Sequence, residues 1–467
     1  MKSLLPILLL AITSSSFAAE KPLSLHPRNA HYFLFRGKPT ILVTSAEHYG
    51  AVLNTDFDFD KYLDELGTRG LNLTRIFSGV YCEDTKAFGI THNTLAPTEG
   101  KLTCPWARSE APGYAGGGNK FDLTKWDNAY FKRLKTFLTQ AGRRGIVVEF
   151  VLFCPFYEDS MWKLSPMNAT NNVNGIGTVE RQSVYNRQTN DRLQAAQEGV
   201  VEKLVTELNE FDNLYFEICN EPYFGGVTED WQRRIVDVIV KAEEPLPNKH
   251  LISQNIANGS KKIEKPYPAV SVFNFHYSSP PTAVRENFGL NKVIGENETG
   301  FKGTGDKHYR MEAWEFLLAG GGLYNNLDYS FAVGQEDGTY KYPDTTPGGG
   351  NVGFRNQIAV LKTFLDGYDF LRMKPDESLV KGGLPAKARA TALSEPGMHY
   401  AVYFFGGPRV KPLLALPAGK YEAEWISPVT GKVLKTDAIT AKEVPVELVS
   451  PDFEPDIAVR IKRSESK

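Results

Sequence analysis

From about residue 30 to 367, short apolar runs alternate with amphipathic segments, and after about residue 373 that alternation stops. The runs at 40–44, 71–77, 146–153, 214–219, 251–254, 270–276, 292–295 and 322–327 read as strands. Between them, residues 59–69, 123–141, 191–208, 230–242, 309–318 and 352–365 carry helical spacing. Strands that are almost continuously apolar and interleaved with helices predict a parallel sheet buried on both faces. Eight of them predict an α/β fold, a (β/α)8 TIM barrel over 22–372, whose chemistry sits on the loops after the strands. A doubly wound sheet would alternate in the same way, but no glycine-rich phosphate fingerprint follows the first run. Residues 32–35 with Arg36, Gly37 and Lys38 read as a small hairpin closing the barrel floor.

Beyond residue 373 the runs at 400–405, 411–416, 421–425, 432–436, 444–448 and 457–461 have turn signals between them and no helices. Gly406-Gly407-Pro408 and Pro417-Ala418-Gly419 are examples. The pattern predicts a small all-β sandwich over 373–467. Two irregular segments, 81–120 and 155–187, far exceed ordinary connections, which predicts binding loops at the barrel mouth.

The first residues change the picture of where the chain works. Lys2, the apolar stretch 4–12 and Ser16-Phe17-Ala18 have the form of a signal peptide over 1–18, with no lipobox cysteine, so the mature protein is expected to be periplasmic or secreted. That apolar stretch is too short to span a bilayer, and no later one is long enough, so no membrane insertion is expected. Lys plus Arg (53) nearly balances Asp plus Glu (55), which offers nothing to nucleic acid. Cys82 and Cys104 share one irregular stretch, where a disulfide would staple a loop with little core of its own. Cys154 and Cys219 each end a strand and are as readily two free thiols as a bridge. No Cys/His spacing resembles a zinc site, and no metal or other cofactor is expected.

Candidate chemistry starts at Cys219-Asn220-Glu221-Pro222-Tyr223, directly after the fourth run. An Asn-Glu pair at a strand's C-terminal end can bond a sugar hydroxyl and protonate a glycosidic oxygen. Hydrolysis needs a second carboxyl group, and the seventh run continues as Gly295-Glu296-Asn297-Glu298-Thr299-Gly300. Alternation along a strand puts Glu296 and Glu298 on one face, both toward the barrel interior, with Glu298 nearer the mouth.

A fourth strand ending in Asn-Glu-Pro and a seventh ending in Glu-x-Gly resemble the clan A glycoside hydrolases, which include the family 5 cellulases. The resemblance implies a retaining β-glycoside hydrolase acting on a carbohydrate, with Glu221 as acid/base and Glu298 as nucleophile. Gly295-Glu296 resembles the Gly-Glu of some family 5 sequences and is the rival alignment. By the same likeness Asn220 bonds the 2-hydroxyl, and Arg75 on the second strand holds a carboxylate ionised; its alternative is an ion pair with Glu217. His276 and Tyr277 resemble the clan's sixth-strand pair, usually spaced His-x-Tyr and here adjacent, so one of them is expected to point away. His48 after the first strand is a candidate for a hydroxyl contact. Where the clan often has a tryptophan after strand eight, this chain has Asp328-Tyr329, so Tyr329 or Asp328 is a candidate sugar contact. Trp162 is a stacking candidate or a loop anchor. The segment 419–431 and Asp456-Ile457-Ala458 resemble the C-terminal β-domain of secreted bacterial glycoside hydrolases that is named for collagen binding. A barrel lacking a competent carboxylate pair would instead be a non-catalytic carbohydrate- or matrix-binding protein.

Overall fold

The computed structural model describes residues 21–47, 49–186, 191–442 and 445–464; the signal segment expected at 1–18 and the candidate His48 lie outside them. Eight parallel strands close into a barrel: β1 (Leu42–Glu47), β2 (Leu73–Phe77), β3 (Val147–Phe153), β4 (Leu214–Cys219), β5 (Ile252–Asn258), β6 (Val272–His276), β7 (Val293–Glu298) and β8 (Leu323–Leu327). Each pairs with its sequence neighbour, and β8 closes on β1. Every residue of β2, β3, β4, β6, β7 and β8 is buried, which is why these runs carry so few polar residues. The polar exceptions, among them Arg75, Glu149, Glu217, Asn274 and Asn297, meet one another inside the barrel.

The helices that flank the barrel are α1 (Phe59–Thr68), α2 (Asn128–Arg143), α3 (Asp191–Leu208), α4 (Glu229–Glu243), α5 (Thr282–Asn287), α6 (Asp306–Leu318) and α7 (Val352–Asp366), and a further short helix, Asp159–Leu164, lies in the loop after β3. Side chains of Asp58, Asp127, Thr228 and Asn351 cap α1, α2, α4 and α7 by accepting from free N–H groups of the first turn. The cap at Asp127 also corrects the start expected at residue 123. Residues Asn119–Trp126 form a strand paired with Trp106–Pro112, so the segment 81–120 ends in a hairpin. No helix lies between β5 and β6, and no helix among the described residues is long and apolar enough to cross a membrane.

An antiparallel sheet of Ser24–Leu25, Phe33–Phe35 and Lys38–Thr40 covers the floor. Phe33 packs there with Leu42, Leu73, Val147, Val272 and Leu323 from the starts of five barrel strands. The C-terminal part pairs a six-stranded antiparallel sheet with a three-stranded one around its own core, which includes Trp425, Phe404 and Val459. Arg389–Glu395 is a strand of the larger sheet that the apolar pattern misses, because Ala, Thr and Ser supply most of its side chains. This sheet seats on α6: Trp314 stacks on Tyr403 with ring centroids 5.3 Å apart, and buried Arg310 holds both carboxylate oxygens of Asp456 at 2.9 and 2.8 Å.

Candidate active site

The C-terminal ends of the strands converge on a cavity of about 330 Å³, and Glu221 and Glu298 both line it. Glu298 is the last residue of β7, and Glu221 stands two residues past β4. One oxygen of each carboxylate lies within 4.8 Å of the other and of a ring nitrogen of His276. His276 Nδ1 sits between them, 3.2 Å from Glu221 Oε1 and 3.4 Å from Glu298 Oε1, and its Nε2 meets the Asn255 side-chain amide at 2.6 Å.

The two carboxylates have different company. Around Glu298, Tyr277 donates its hydroxyl at 2.5 Å, Arg75 Nη1 stands at 3.2 Å, and the Tyr49 hydroxyl bonds the other oxygen. Around Glu221, Tyr157 donates at 2.6 Å and Tyr223 at 3.1 Å, and no arginine or lysine salt bridge reaches it among the described residues. Burial pushes Glu298 upward, but the charge and hydrogen bond of His276, then Arg75 and Tyr277, hold it well below the usual carboxylate range. Burial opposes charging of His276 in turn. The charge of Glu298 and hydrogen bonds to both glutamates outweigh it and raise the imidazole to about 9.

Arg75 is buried completely and bonds Glu217, stands 3.5 Å from Glu149 and donates to Asn220 Oδ1 at 2.8 Å. It thus pairs with Glu217 below and touches Glu298 above. Burial and the charge of Glu217 push Glu149 well above the usual carboxylate range. The second oxygen of Glu217 accepts from Asn274 at 3.0 Å and Asn297 at 2.6 Å. A rigid polar floor thus fixes the guanidinium beneath the carboxylate pair.

Backbone irregularities shape the site at three points. His276 and Tyr277 both reach the pair because Tyr277 takes a left-handed conformation (φ 53°), which breaks alternation at the strand's end. Glu221 is likewise left-handed (φ 35°), a costly conformation for a residue with a Cβ and one that clusters at functional sites. A third irregularity corrects the expected parity of Glu296 and Glu298. The β6–β7 register shifts so that Phe275 faces Glu296 and His276 faces Glu298, with Asn297 as an extra residue. Glu296 is fully buried and accepts from the Ser278 N–H at 2.5 Å. Burial and the nearby Glu312 of α6 push it well above the usual range, and it does not line the cavity that Glu221 and Glu298 share.

Asn220 is buried beside Glu221, its amide nitrogen 3.0 Å from the Tyr157 hydroxyl. Tyr329 lines the cavity half-buried, whereas neighbouring Asp328 also lines it but is paired with Arg355 at 2.8 Å. Trp162 is corrected from stacking candidate to loop anchor: it is buried, donates to the Val179 carbonyl at 2.9 Å and packs on Phe156. All four cysteines are free and buried, so neither pair that the sequence left open forms a bridge. Sequence reasoning missed Tyr49, Tyr157, Tyr223 and Glu149. Glu149 had a signal, a lone charge in an apolar run, and Tyr49 adjoins the chosen His48; the loop tyrosines had none. Among the described residues, only Glu221, His276 and Glu298 bring donor atoms close enough together to hold a metal ion.

No family model matches the sequence, and no curated protein matches it. Solved structures do match in three dimensions. A candidate glycoside hydrolase from Bacteroides vulgatus aligns over 95% of this chain and 83% of its own, at 15% identity and TM-score 0.65. A family 5 glycoside hydrolase from the same organism aligns over 95% and 94%, at 13% identity and TM-score 0.63. A family 5 mannosidase from Rhizomucor miehei covers 75% of this chain and 99% of its own, at 11% identity and TM-score 0.50. The chain shares their fold. The first two alignments run through the C-terminal sheets as well as the barrel, so the two-part architecture recurs.

Proposed function

We propose that this protein is a retaining β-glycoside hydrolase that acts by double displacement. The observation that carries the reading is the asymmetry of the carboxylate pair. His276 is shared by both, but Arg75 and two tyrosines hold Glu298, while Glu221 is met otherwise by the hydroxyl groups of Tyr157 and Tyr223. In the first step Glu298 attacks the anomeric carbon, and the glycosidic C–O bond breaks as Glu221 gives its proton to the leaving oxygen. In the second step Glu221 takes a proton from water, whose oxygen displaces Glu298 and restores both groups. Oxygens of the two carboxylates lying within 4.8 Å of each other support the close spacing of roughly 5–5.5 Å that retention uses over the wider one of inversion.

Asn220 stands beside Glu221 to meet the 2-hydroxyl, and Tyr329 lines the same cavity. A non-catalytic binding protein would not need a buried cation and two tyrosines trained on one carboxylate. The residues that head the sequence support export of the mature chain. The test is proton NMR of the first product formed from aryl β-glycosides of glucose, mannose, galactose and xylose. Retention requires the β-anomer to appear first; initial α-anomer means inversion and overturns the assignment of Glu298.

A further inference from the structure

The long segment after β2 does more than line the cavity. Through Glu83, Asn93 and their neighbours it walls one side, and it is tied to the rim around it. Its Thr94 carbonyl accepts from Asn54 at 3.2 Å and lies so close to Gly50 that no side chain fits between them. Its His92 ring packs on Tyr340 at 4.9 Å, and its Asp84 accepts from Ser160 at 2.7 Å. Phe88 reaches Tyr157 on one side and Phe301 on the other, at 5.3 and 6.5 Å between ring centroids. One loop therefore joins the loops after β1, β3, β7 and β8 across the mouth.

Glu83 stands in that wall, nine-tenths buried yet lining the cavity. Tyr81 donates to one of its oxygens at 2.9 Å and Asn93 to the other at 2.5 Å. A carboxylate accepts about four hydrogen bonds, so acceptor sites remain. Burial pushes Glu83 up to about 7, against the pull of Asn93 and Tyr81, which lets it donate as well as accept near neutrality. The double displacement does not use it. The acid marks the open side: Tyr223 bonds both Glu221 and Asn258 at the end of β5, whereas Tyr157, the other hydroxyl donor to Glu221, packs against Tyr81 and Phe88 of the walling segment. The leaving group must lie there, where Tyr223 and Phe224 are exposed. The sugar that is attacked then lies on the walled side.

We propose that Glu83 binds one hydroxyl of the attacked sugar in a glycone pocket closed by the loop after β2, so that the enzyme removes one terminal sugar from the non-reducing end. This rests on the glycosidase reading and adds its mode of attack. The test uses 4-nitrophenyl β-glucoside, mannoside, galactoside and xyloside, with the matching 4-nitrophenyl β-1,4-disaccharides. From the disaccharides, a one-sugar pocket yields the free monosaccharide and the nitrophenyl monoside first. Turnover of the monosides alone supports the same pocket. Nitrophenol with intact disaccharide as first products would overturn the closed pocket and leave the glycosidase reading standing; no turnover of any glycoside overturns both. For Glu83→Gln we expect kcat/KM to fall roughly 10- to 100-fold, with that loss absent for one monodeoxy glycoside, the one lacking the hydroxyl Glu83 reads. Unchanged kcat/KM, or equal loss across every monodeoxy glycoside, would return Glu83 to a purely structural part in the loop.

Discussion

His276 and Glu298 stabilise each other's charged forms, and the signs of their shifts define a pH window. The imidazole is raised from 6.5 to about 9, so its contribution is complete below 6.5 and is lost as pH rises through 9. Glu298 is lowered from 4.5, so its contribution is complete above 4.5 and is lost as pH falls toward its depressed value. Stability should therefore peak between about 4.5 and 6.5, and the alkaline decline should flatten in His276→Asn, as read by urea unfolding across pH. An equally steep alkaline decline in that variant would mean that the imidazole is not charged in the fold. The acid makes a second prediction. Glu221→Ala should lose at least about 100-fold in kcat on alkyl glycosides and much less on 4-nitrophenyl glycosides, whose leaving group scarcely needs a proton. Equal losses on both would remove Glu221 from the acid role. Tyr49→Phe should cost roughly 10-fold or more in kcat/KM, because a buried charged group loses a donor; unchanged kinetics would leave Tyr49 as packing alone.

At the level of elements, the barrel strands were legible because burial on both faces leaves an almost unbroken apolar run, as in Val147–Phe153. Glu221 and Glu298 were legible because each follows such a run. What alternation cannot show is where it breaks. The left-handed turn at Tyr277 and the extra residue Asn297 in β7 are backbone events with no apolar signature, and they decide that Tyr277 enters the site and Glu296 leaves it. Long loops were legible as long, but not as a hairpin over 106–126, since those strands carry mixed residues and half-exposed faces. Nor could sequence decide the state of the cysteines. Burial pushes the thiols of Cys82 and Cys104 up to about 12. Native protein should thus react with less than one equivalent of a thiol reagent, and denatured protein with four; fewer than four after denaturation would reveal a disulfide.

Across the whole molecule, the barrel and the C-terminal sheets are joined by a buried charge pair within an aromatic contact. Arg310 holds Asp456, which also accepts from Tyr403 at 2.8 Å, and Tyr403 stacks on Trp314. Removing one partner of a buried pair strands the other, so Asp456→Ala should lower unfolding free energy by about 3 kcal/mol. The carboxylate pair belongs wholly to the barrel, so kcat should hold within about twofold where the variant is folded. A large loss of turnover without loss of stability would show that the sheets act on the site. The proposed double displacement turns on which carboxylate attacks the sugar. A 2-fluoro aryl β-glycoside whose parent sugar the enzyme cleaves should trap the covalent intermediate, and peptide mass mapping should find the label on Glu298. Label on Glu296, or turnover that the reagent never inactivates, would contradict the account.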